Sequence, residues 1–529
     1  MKTISQRKIF LAIPAVILLL LVIVLGTVWL QKPPPYPTAQ TEFSVYFDDY
    51  RMDYSVTKPE LVEDVDRLVA FTEELHAAPY RVTDRDAFLE KAEAIKSRIQ
   101  RVGSEEIPVQ DAYYDLLELA AFLQDGHTAI YPLNWEKTVD SMLPLTFTSV
   151  EGRIFVKDNY GENDVPERAE IIAVNGVSVE QMRNETMKYV PGTLPDFKQA
   201  QFSKLLNLFI QTYYKMPAPW QITSRHNGAL VTTTVQGITQ EAFVKAATLR
   251  PEFMESEIEA NGQSLPVLTL AFPGFENISE WDDFKTFVDD FFARNMDKPY
   301  LIIDARHHHG GDGDWMVYLL SHLTGSLKGF KEFSFRVSPL HQQIIQYGLE
   351  STYYDMKIPQ FLWGLPIYKW AEQDDPYYWI ARGVMETEPG AFYEAQWEDS
   401  KPYIADETSA RFQGKVFLLT SHETFSAGAY LAGLFWENNL GVIVGRETGG
   451  RVSMQSDPMP VFLPNTNLMY LIPVANFVVC SDNPDRGVIP EVAVDLTVED
   501  YTHDRDGDME QVISLIGTDL AATNARADP

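Results

Sequence analysis

Cysteine and basic residues are both scarce in this sequence. A single cysteine, Cys480, occurs among 529 residues, so an intramolecular disulfide is excluded, and no cysteine pair has the spacing of a zinc site. Lys and Arg together number 43 against 75 Asp and Glu, which gives a formal net charge of −32. Because a surface this negative repels phosphate backbones, the composition disfavours a nucleic-acid partner.

Long uncharged apolar runs are absent except at the N-terminus. Lys2, Arg7 and Lys8 precede an uncharged run over residues 9–30, which is long enough to span a membrane as a helix. The basic residues in front of the run predict a cytoplasmic N-terminus and an extracytoplasmic remainder. We therefore expect residues 1–31 to form an uncleaved single-pass membrane anchor; a cleaved signal peptide and secretion are the alternative.

The rest of the chain has a globular composition, with 45% hydrophobic and 12% aromatic residues. Apolar runs of strand length alternate with helical stretches such as 281–294 and 427–437, a pattern typical of an α/β sheet covered by helices. The predicted units are a Pro-rich linker at 32–43, an N-terminal helical domain at 44–142, a β-insert at 143–195, a connecting segment at 196–250, an α/β core at 251–500 with an aromatic-rich insertion at 339–411, and a C-terminal tail at 501–529.

Residues 166–177 of the β-insert resemble a segment of PDZ domains. They read P-E-R-A-E-I-I-A-V-N-G-V, which is similar to the G-D-x-I-x-x-I-N-G pattern of that family. The resemblance implies a reduced PDZ-like domain, and a plain structural β-insert is the alternative. The glycine-rich carboxylate-binding loop of the family is not visible, so capture of a free peptide C-terminus is not expected.

A serine at a predicted strand-to-helix turn is the first candidate for chemistry. The segment 424–429, T-F-S-A-G-A, follows the predicted strand 415–420 and opens a helix. Such a turn can expose the hydroxyl of Ser426 while the following N–H groups, beginning with that of Ala427, point into the same space. An ordinary helix N-cap is the alternative interpretation of this serine.

Paired glycines are the second candidate feature. Gly310 and Gly311 follow the apolar strand predicted at 300–305, and their bare backbone N–H groups suit an oxyanion. Three consecutive histidines at 307–309 precede them and raise a metal site as an alternative. Because adjacent residues of an extended chain point to opposite faces, these side chains converge poorly on one ion.

Together with residues 445–451 and 485–491, these segments resemble the C-terminal-processing (tail-specific) and tricorn-core serine peptidases. In that family a D-x-R-x-N-x-G-G strand end carries an oxyanion glycine, T-x-S-A carries the nucleophile, and G-V-x-P-D closes the core. The resemblance covers, with gaps, about residues 116–495. It implies that Ser426 is the nucleophile and that Gly310, Gly311 and Ala427 form the oxyanion hole.

The general base is where this sequence departs from the tail-specific branch. That branch places a lysine 25 residues after the serine, and here that position is Arg451, whose guanidinium stays protonated and cannot accept a proton. The tricorn-like branch uses a histidine instead, and the segment 125–128, D-G-H-T, resembles the D-x-H-T that accompanies it. The resemblance therefore implies His127 as the base, with His422 as a rival.

The carboxylate that orients the histidine is placed near the closing segment of the core in the tricorn-like branch. Asp485, two residues before Gly487, is the predicted partner of His127. Asp482 and Glu447 are the alternatives.

We therefore predict a membrane-anchored serine endopeptidase that hydrolyses polypeptides outside the cytoplasm by acyl-enzyme chemistry, without a metal or cofactor. A catalytically inactive peptide-binding protein on the same fold is the alternative, because Arg451 replaces the lysine base. A metal-dependent hydrolase that uses the three histidines is the third hypothesis.

Overall fold

The computed structural model describes residues 31–38, 52–131, 135–247, 253–271, 281–363, 376–397, 404, 410–480 and 483–527. The predicted membrane anchor lies outside these ranges except for its last residue, Gln31, and Asp482 lies outside them as well. Within the described ranges, no helix combines the length and the hydropathy that a membrane span requires.

The described residues form a mixed α/β structure, as the sequence predicts. The helices are α1 (Lys58–Leu75), α2 (Arg85–Arg101), α3 (Val109–Phe122), α4 (Val179–Thr186), α5 (Pro195–Leu208), α6 (Gln240–Ala247), α7 (Trp281–Asn295), α8 (Gly313–Ser321), α9 (Pro339–Asp355), α10 (Pro376–Glu386), α11 (Ala427–Glu437), α12 (Val498–Thr502) and α13 (Gly507–Ala527). The strands are β1 (Ser55–Thr57), β2 (Glu106–Pro108), β3 (Ala129–Tyr131), β4 (Leu145–Val150), β5 (Arg153–Asn159), β6 (Glu170–Val174), β7 (Val177–Ser178), β8 (Trp220–His226), β9 (Ala229–Val235), β10 (Phe253–Ala260), β11 (Gln263–Ala271), β12 (Tyr300–His307), β13 (Glu332–Arg336), β14 (Phe392–Glu394), β15 (Lys415–Thr420), β16 (Val442–Gly445), β17 (Ser453–Phe462), β18 (Met469–Val478) and β19 (Val492–Ala493).

The α/β core is built on a sheet with the strand order β10-β11-β12-β15-β16-β19. β10 is antiparallel to β11, and the neighbouring pairs from β11 to β19 are parallel. Alternate residues of β12 enter different layers: Leu301 and Ile303 pack with α7, α8 and α11, whereas Ile302 packs with α13. Helices therefore cover both faces of the sheet, which is why its inner strands β12, β15 and β16 are mostly apolar and buried, whereas the edge strand β10 is polar.

The segment predicted as a C-terminal tail, 501–529, is part of this core. Val512 and Ile516 of α13 are fully buried against Phe417 and Val444 of the sheet. Their i, i+4 spacing places both side chains on one side of the helix. The second face of the sheet would be exposed without α13, so the core extends beyond the predicted boundary at residue 500.

The β-insert also extends beyond its predicted boundary at residue 195. Its sheet has the order β4-β5-β6-β8-β9, with β7 paired to β6. β8 and β9 belong to the segment predicted as a connection, 196–250, and Val174 of β6 faces Ile222 of β8. β8 joins the sheet of the β-insert by pairing with β6, and β9 joins it by pairing with β8.

The N-terminal unit contains the helices α1, α2 and α3 and the short strands β1, β2 and β3. Its first helix, α1, begins at a capping box formed by Thr57 and Glu60. Leu61, Val65 and Leu68 are fully buried and lie at the spacing of one helix face. This face packs in the same hydrophobic cluster as a further sheet, which contains β17 and β18.

The sheet that contains β17 and β18 joins the N-terminal unit to the core. It has the order β14-β13-β18-β17, and β3 adds to β18 as an antiparallel partner, with Ile130 facing Tyr470. The described part of the aromatic-rich insertion 339–411 packs in the same cluster through Tyr353 and Trp363. Because β3 begins two residues after His127, this pairing holds the predicted base against the core.

A buried carboxylate reinforces the same junction. Asp64 of α1 is fully buried and accepts hydrogen bonds from the backbone N–H of Asn465 at 3.0 Å and of Thr466 at 2.7 Å. The hydroxyl of Thr466 donates to it as well. These groups lie in the turn between β17 and β18, so Asp64 fixes α1 to the hairpin that receives β3.

We expect Asp64→Ala to lower the free energy of unfolding by about 2–4 kcal/mol, because the N–H groups of the turn lose their acceptor. Glu63→Ala is the matched control, since Glu63 is exposed and accepts a bond from the side chain of Asn465; a change within about 0.5 kcal/mol is expected. Urea unfolding of both variants measures this difference. Equal stabilities would contradict the assignment.

Candidate active site

Ser426 lies at the sharp turn between β15 and α11. Its backbone has φ 53° and ψ −121°, a conformation that costs a non-glycine residue about 1–3 kcal/mol. The hydroxyl makes no capping hydrogen bond to α11, so this serine is not an ordinary N-cap. Its side chain is instead available to a partner outside the helix.

Hydrogen bonds from two neighbouring loops hold the strained turn in place. The Thr424 hydroxyl donates to the carbonyl of Ala305 at 2.8 Å, and the N–H of Phe425 donates to the carbonyl of His308 at 3.0 Å. On the other side, the N–H of Gly449 donates to the carbonyl of Thr424 at 2.8 Å. The loops after β12 and β16 therefore position the serine.

His127 faces this serine directly. Its Nε2 lies 2.9 Å from Oγ of Ser426, although the two residues come from different units of the chain. The ring also forms a hydrogen bond with the backbone of Gln455, and because Nε2 faces the serine, this bond falls to Nδ1. An Nδ1 that donates leaves the lone pair of Nε2 directed at the hydroxyl, as a general base requires.

Aromatic packing fixes the plane of the histidine ring. The ring centroids of His127 and Phe425 are 4.6 Å apart, and Phe425 in turn stacks on Phe197 of α5 at 4.5 Å. Burial lowers the pKa of His127 below its ordinary value, and the Asp125 carboxylate and the Gln455 carbonyl offset only part of that shift. The imidazole is therefore neutral at physiological pH.

Asp125 is the carboxylate beside His127. Its Oδ1 accepts the backbone N–H of His127 at 2.9 Å, and its Oδ2 lies 3.1 Å from Nε2 of His76 and 3.3 Å from the hydroxyl of Thr128. Burial by itself would raise the pKa of Asp125, but the hydrogen bond and charge of His76, together with the charge and backbone N–H of His127, outweigh burial and hold the pKa below its ordinary value. A negative charge thus lies beneath the histidine.

Asp485, the predicted partner, lies elsewhere. Its side chain is 77% exposed and its Oδ1 accepts a hydrogen bond from Arg81 at 3.1 Å. No contact among the described residues joins Asp485 to His127. The alternative Glu447 accepts the N–H of Gly487 at 2.8 Å and pairs with Arg486. The structure brings neither carboxylate to the histidine, because arginines hold both of them.

The predicted oxyanion residues are brought to the serine in part. Gly310 has φ 135°, and a Cβ at this position would lie 2.8 Å from Cβ of Ser426, so a larger residue does not fit. Ala427 is the first residue of α11, and its N–H is one of the amides that a helix leaves free at its N-terminus. Gly311 has φ 122°, but no described contact places it at the serine.

Arg451, at the position of the family lysine, and His422, the rival base, have other partners. Arg451 is buried and lines the same small cavity as His127 and Asp125, where it donates to Oε1 of Gln455 at 3.3 Å. His422 donates from Nδ1 to the carbonyl of Glu447 at 3.0 Å. Within the described residues, neither side chain contacts Ser426.

Of the three consecutive histidines, His307 and His309 lie beside Glu423, whereas His308 lies on the other side, against Met316. His307 lies 3.4 Å from a carboxylate oxygen of Glu423, His308 lies 3.3 Å from the sulfur of Met316, and His309 donates to the carbonyl of Glu423 at 2.9 Å. In the part of the chain that the structure describes, no group of three or more His, Cys, Asp or Glu side chains could hold a metal ion.

Comparisons with known proteins identify a family for part of the chain and solved structures of similar fold. Residues 267–494 match the model of peptidase family S41, whereas no curated protein matches the sequence. A solved structure of a CPAF variant with serine replaced by alanine is similar, with a TM-score of 0.60, 13% identity, and coverage of 87% of this chain and 96% of that chain. Mature CPAF gives a TM-score of 0.58 and 13% identity over 89% of this chain and 98% of that chain.

The similarity to CPAF establishes a shared fold, and the family model covers the strands and loops that carry Ser426 and Gly310. The resemblance of the sequence to the C-terminal-processing and tricorn-core serine peptidases is confirmed at the level of peptidase family S41. The chain carries a peptidase family S41 domain and is a serine-type peptidase.

Proposed function

We propose that this peptidase is an endopeptidase that cleaves polypeptides through an acyl-enzyme, with Ser426 as the nucleophile and His127 as the general base. The observation that carries the proposal is the 2.9 Å contact between Nε2 of His127 and Oγ of Ser426. It joins a strained, uncapped serine to an imidazole whose other nitrogen already has a partner. This is the geometry of an activated nucleophile.

The proposed steps follow from these positions. As Oγ of Ser426 attacks the scissile carbonyl, Nε2 of His127 takes its proton, and the positive ring gains stabilisation from Asp125. The N–H groups of Gly310 and Ala427 stabilise the oxyanion of the tetrahedral intermediate. His127 then gives its proton to the leaving amine. In the second half of the reaction, His127 takes a proton from a water molecule that attacks the acyl-enzyme, and it returns this proton to Oγ of Ser426.

We propose Asp125 rather than Asp485 as the supporting carboxylate. Asp125 accepts the N–H of His127 and lies buried with His76, so its charge acts through a poorly screened environment. Asp485 is exposed and paired with Arg81. Asp125 accepts the backbone N–H of His127, and its negative charge favours the protonated ring, whereas the Gln455 carbonyl accepts the ring N–H.

The location of the enzyme is proposed from the sequence. The uncharged run 9–30 with basic residues in front of it favours an anchored protein whose peptidase domain lies outside the cytoplasm. Its substrates would then be exported or surface-exposed polypeptides.

A fluorophosphonate probe should label the protein, and Ser426→Ala should abolish the labelling together with casein hydrolysis, because the probe reacts with an activated serine. Ser326→Ala is the control, since Ser326 is exposed in a loop, and it should label like the wild type. Labelling that persists in Ser426→Ala would place the nucleophile elsewhere. An unlabelled wild type would favour the inactive peptide-binding alternative.

His127→Ala should lower kcat about 100- to 10,000-fold, the range for loss of a general base, and Arg451→Ala should lower it much less. In the wild type, activity should fall on acidification through a midpoint below 6.5, because burial lowers the pKa of His127 from that ordinary value and only the neutral ring is a base. Turnover of casein from pH 4 to 9 measures the midpoint. A midpoint well above 6.5, or a fully active His127→Ala variant, would contradict this assignment.

Asp125→Asn should lower kcat by about 10-fold or more and move the acidic midpoint to lower pH, because the nearby negative charge that favours the protonated ring is lost. Asp485→Asn, the matched substitution at the exposed carboxylate, should leave both quantities close to wild type. Kinetics of the two variants across the same pH range test the choice. The reverse ranking would restore Asp485 as the partner.

A further inference from the structure

Lys204 connects the β-insert with both loops of the proposed catalytic centre. It lies on α5, and its Nζ is 3.3 Å from Oε2 of Glu423 and 2.9 Å from Nε2 of His309. Glu423 comes three residues before Ser426, and His309 directly precedes Gly310. One ammonium group therefore contacts the loop of the nucleophile and the loop of the oxyanion glycine at the same time.

The contacts fix the protonation state of each partner. Nδ1 of His309 donates to the carbonyl of Glu423, which leaves its Nε2 to accept from Lys204. Burial, with the Lys204 charge adding to it, lowers the pKa of His309 to about 3, so this ring is neutral. Burial would raise the pKa of Glu423, but Lys204 and His307 outweigh it and hold the pKa well below its usual range.

The Glu423 carboxylate can stay buried in its charged form because Lys204 lies beside it. The side chain of Glu423 is 13% exposed, the His307 ring lies 3.4 Å away with a side chain that is 52% exposed, and Lys157 adds a smaller effect of positive charge than Lys204. A buried carboxylate that loses its main counter-charge is strongly destabilised. Without Lys204, Glu423 would move toward solvent, and the backbone of the nucleophile loop would move with it.

The distance between the two loops matters because they approach so closely. The N–H of Phe425 bonds to the carbonyl of His308 at 3.0 Å, and the space at Gly310 holds no Cβ beside Ser426. A shift of about 1 Å between a nucleophile and its oxyanion donors can change the rate of a reaction about 100-fold.

We infer that Lys204 is a positioning residue of the peptidase reaction: from the β-insert, it sets the position of Gly310 relative to Ser426. This inference rests on the proposed function. Lys204 contacts neither Ser426 nor His127 within the described residues, so it acts through the two loops. The β-insert is therefore a structural part of the catalytic centre and not a separate appendage.

The test compares Lys204→Met, which keeps the length of the stem without the charge, with Lys204→Arg, which keeps the charge. Lys215→Met is the matched control, because Lys215 forms an exposed ion pair with Asp111 away from these loops. Ser426→Ala supplies the blank. Each variant is assayed for kcat and KM on one peptide substrate and for its thermal unfolding midpoint.

We expect Lys204→Met to lose about 10- to 100-fold in kcat with KM unchanged, while Lys204→Arg recovers most of the rate and Lys215→Met equals the wild type. If Lys204→Met does not fold, Glu423→Gln removes the same charge pair and carries the same expectation. A wild-type kcat in the folded variant, or a loss confined to KM, would overturn the inference alone, provided that Ser426→Ala is inactive. Full activity in Ser426→Ala would overturn both this inference and the proposed function.

Discussion

The hydrogen bond between His127 and Ser426 joins residues that are 299 positions apart. It can form only because the N-terminal unit, which carries His127, docks on the core, which carries Ser426. One such bond contributes about 1 kcal/mol, far too little to hold two units of a protein together. The docking is done elsewhere, by the pairing of β3 with β18, by Asp64 on the β17–β18 turn, and by the N–H of Ala77, which donates to the carbonyl of Pro473 at 3.0 Å. The catalytic contact is a consequence of that docking.

The strained backbone of Ser426 also depends on contacts with distant segments. A positive φ at Ser426 persists because the loops after β12 and β16 bond to the turn on both sides. Small residues make this approach possible: a Cβ at Gly428 would lie 2.5 Å from the carbonyl of His308, and one at Gly450 would lie 3.3 Å from the N–H nitrogen of Ser426. The energy of the strained turn is offset by these neighbours, so the hydroxyl stays uncapped and faces the histidine.

Sequence patterns predicted the parts of the fold that are governed by local periodicity. The helix-covered sheet, the serine at a strand-to-helix turn and the glycine at its side all follow from apolar runs and turn residues. The hairpin of β8 and β9 was missed although Asn227-Gly228 has the signature of a two-residue turn, and both residues have positive φ. The helix α13 was missed although its apolar residues recur at helical spacing, at Met509, Val512, Ile513, Ile516 and Leu520.

Contacts between distant segments were beyond the reach of such patterns. Asp125 could have been proposed from its D-x-H spacing with His127, since a carboxylate two residues earlier readily accepts the following N–H. His76 and Gln455 carry no such signal, because their role comes from the docking of α1 and β17 around the site. For Lys204, the partner Glu423 is more than 200 residues away, and no local pattern relates the two.

The replacement of the family lysine by Arg451 can be understood from the cavity that Arg451 shares with His127. Because His127 already supplies a base to this cavity, a chain that docks the histidine there needs no lysine at position 451. The guanidinium remains charged, lies 3.9 Å from Asp485 and donates to Gln455, whose backbone holds the histidine ring. Arg451 therefore lines the pocket without accepting a proton, and it bonds to the side chain of the residue whose backbone orients the base.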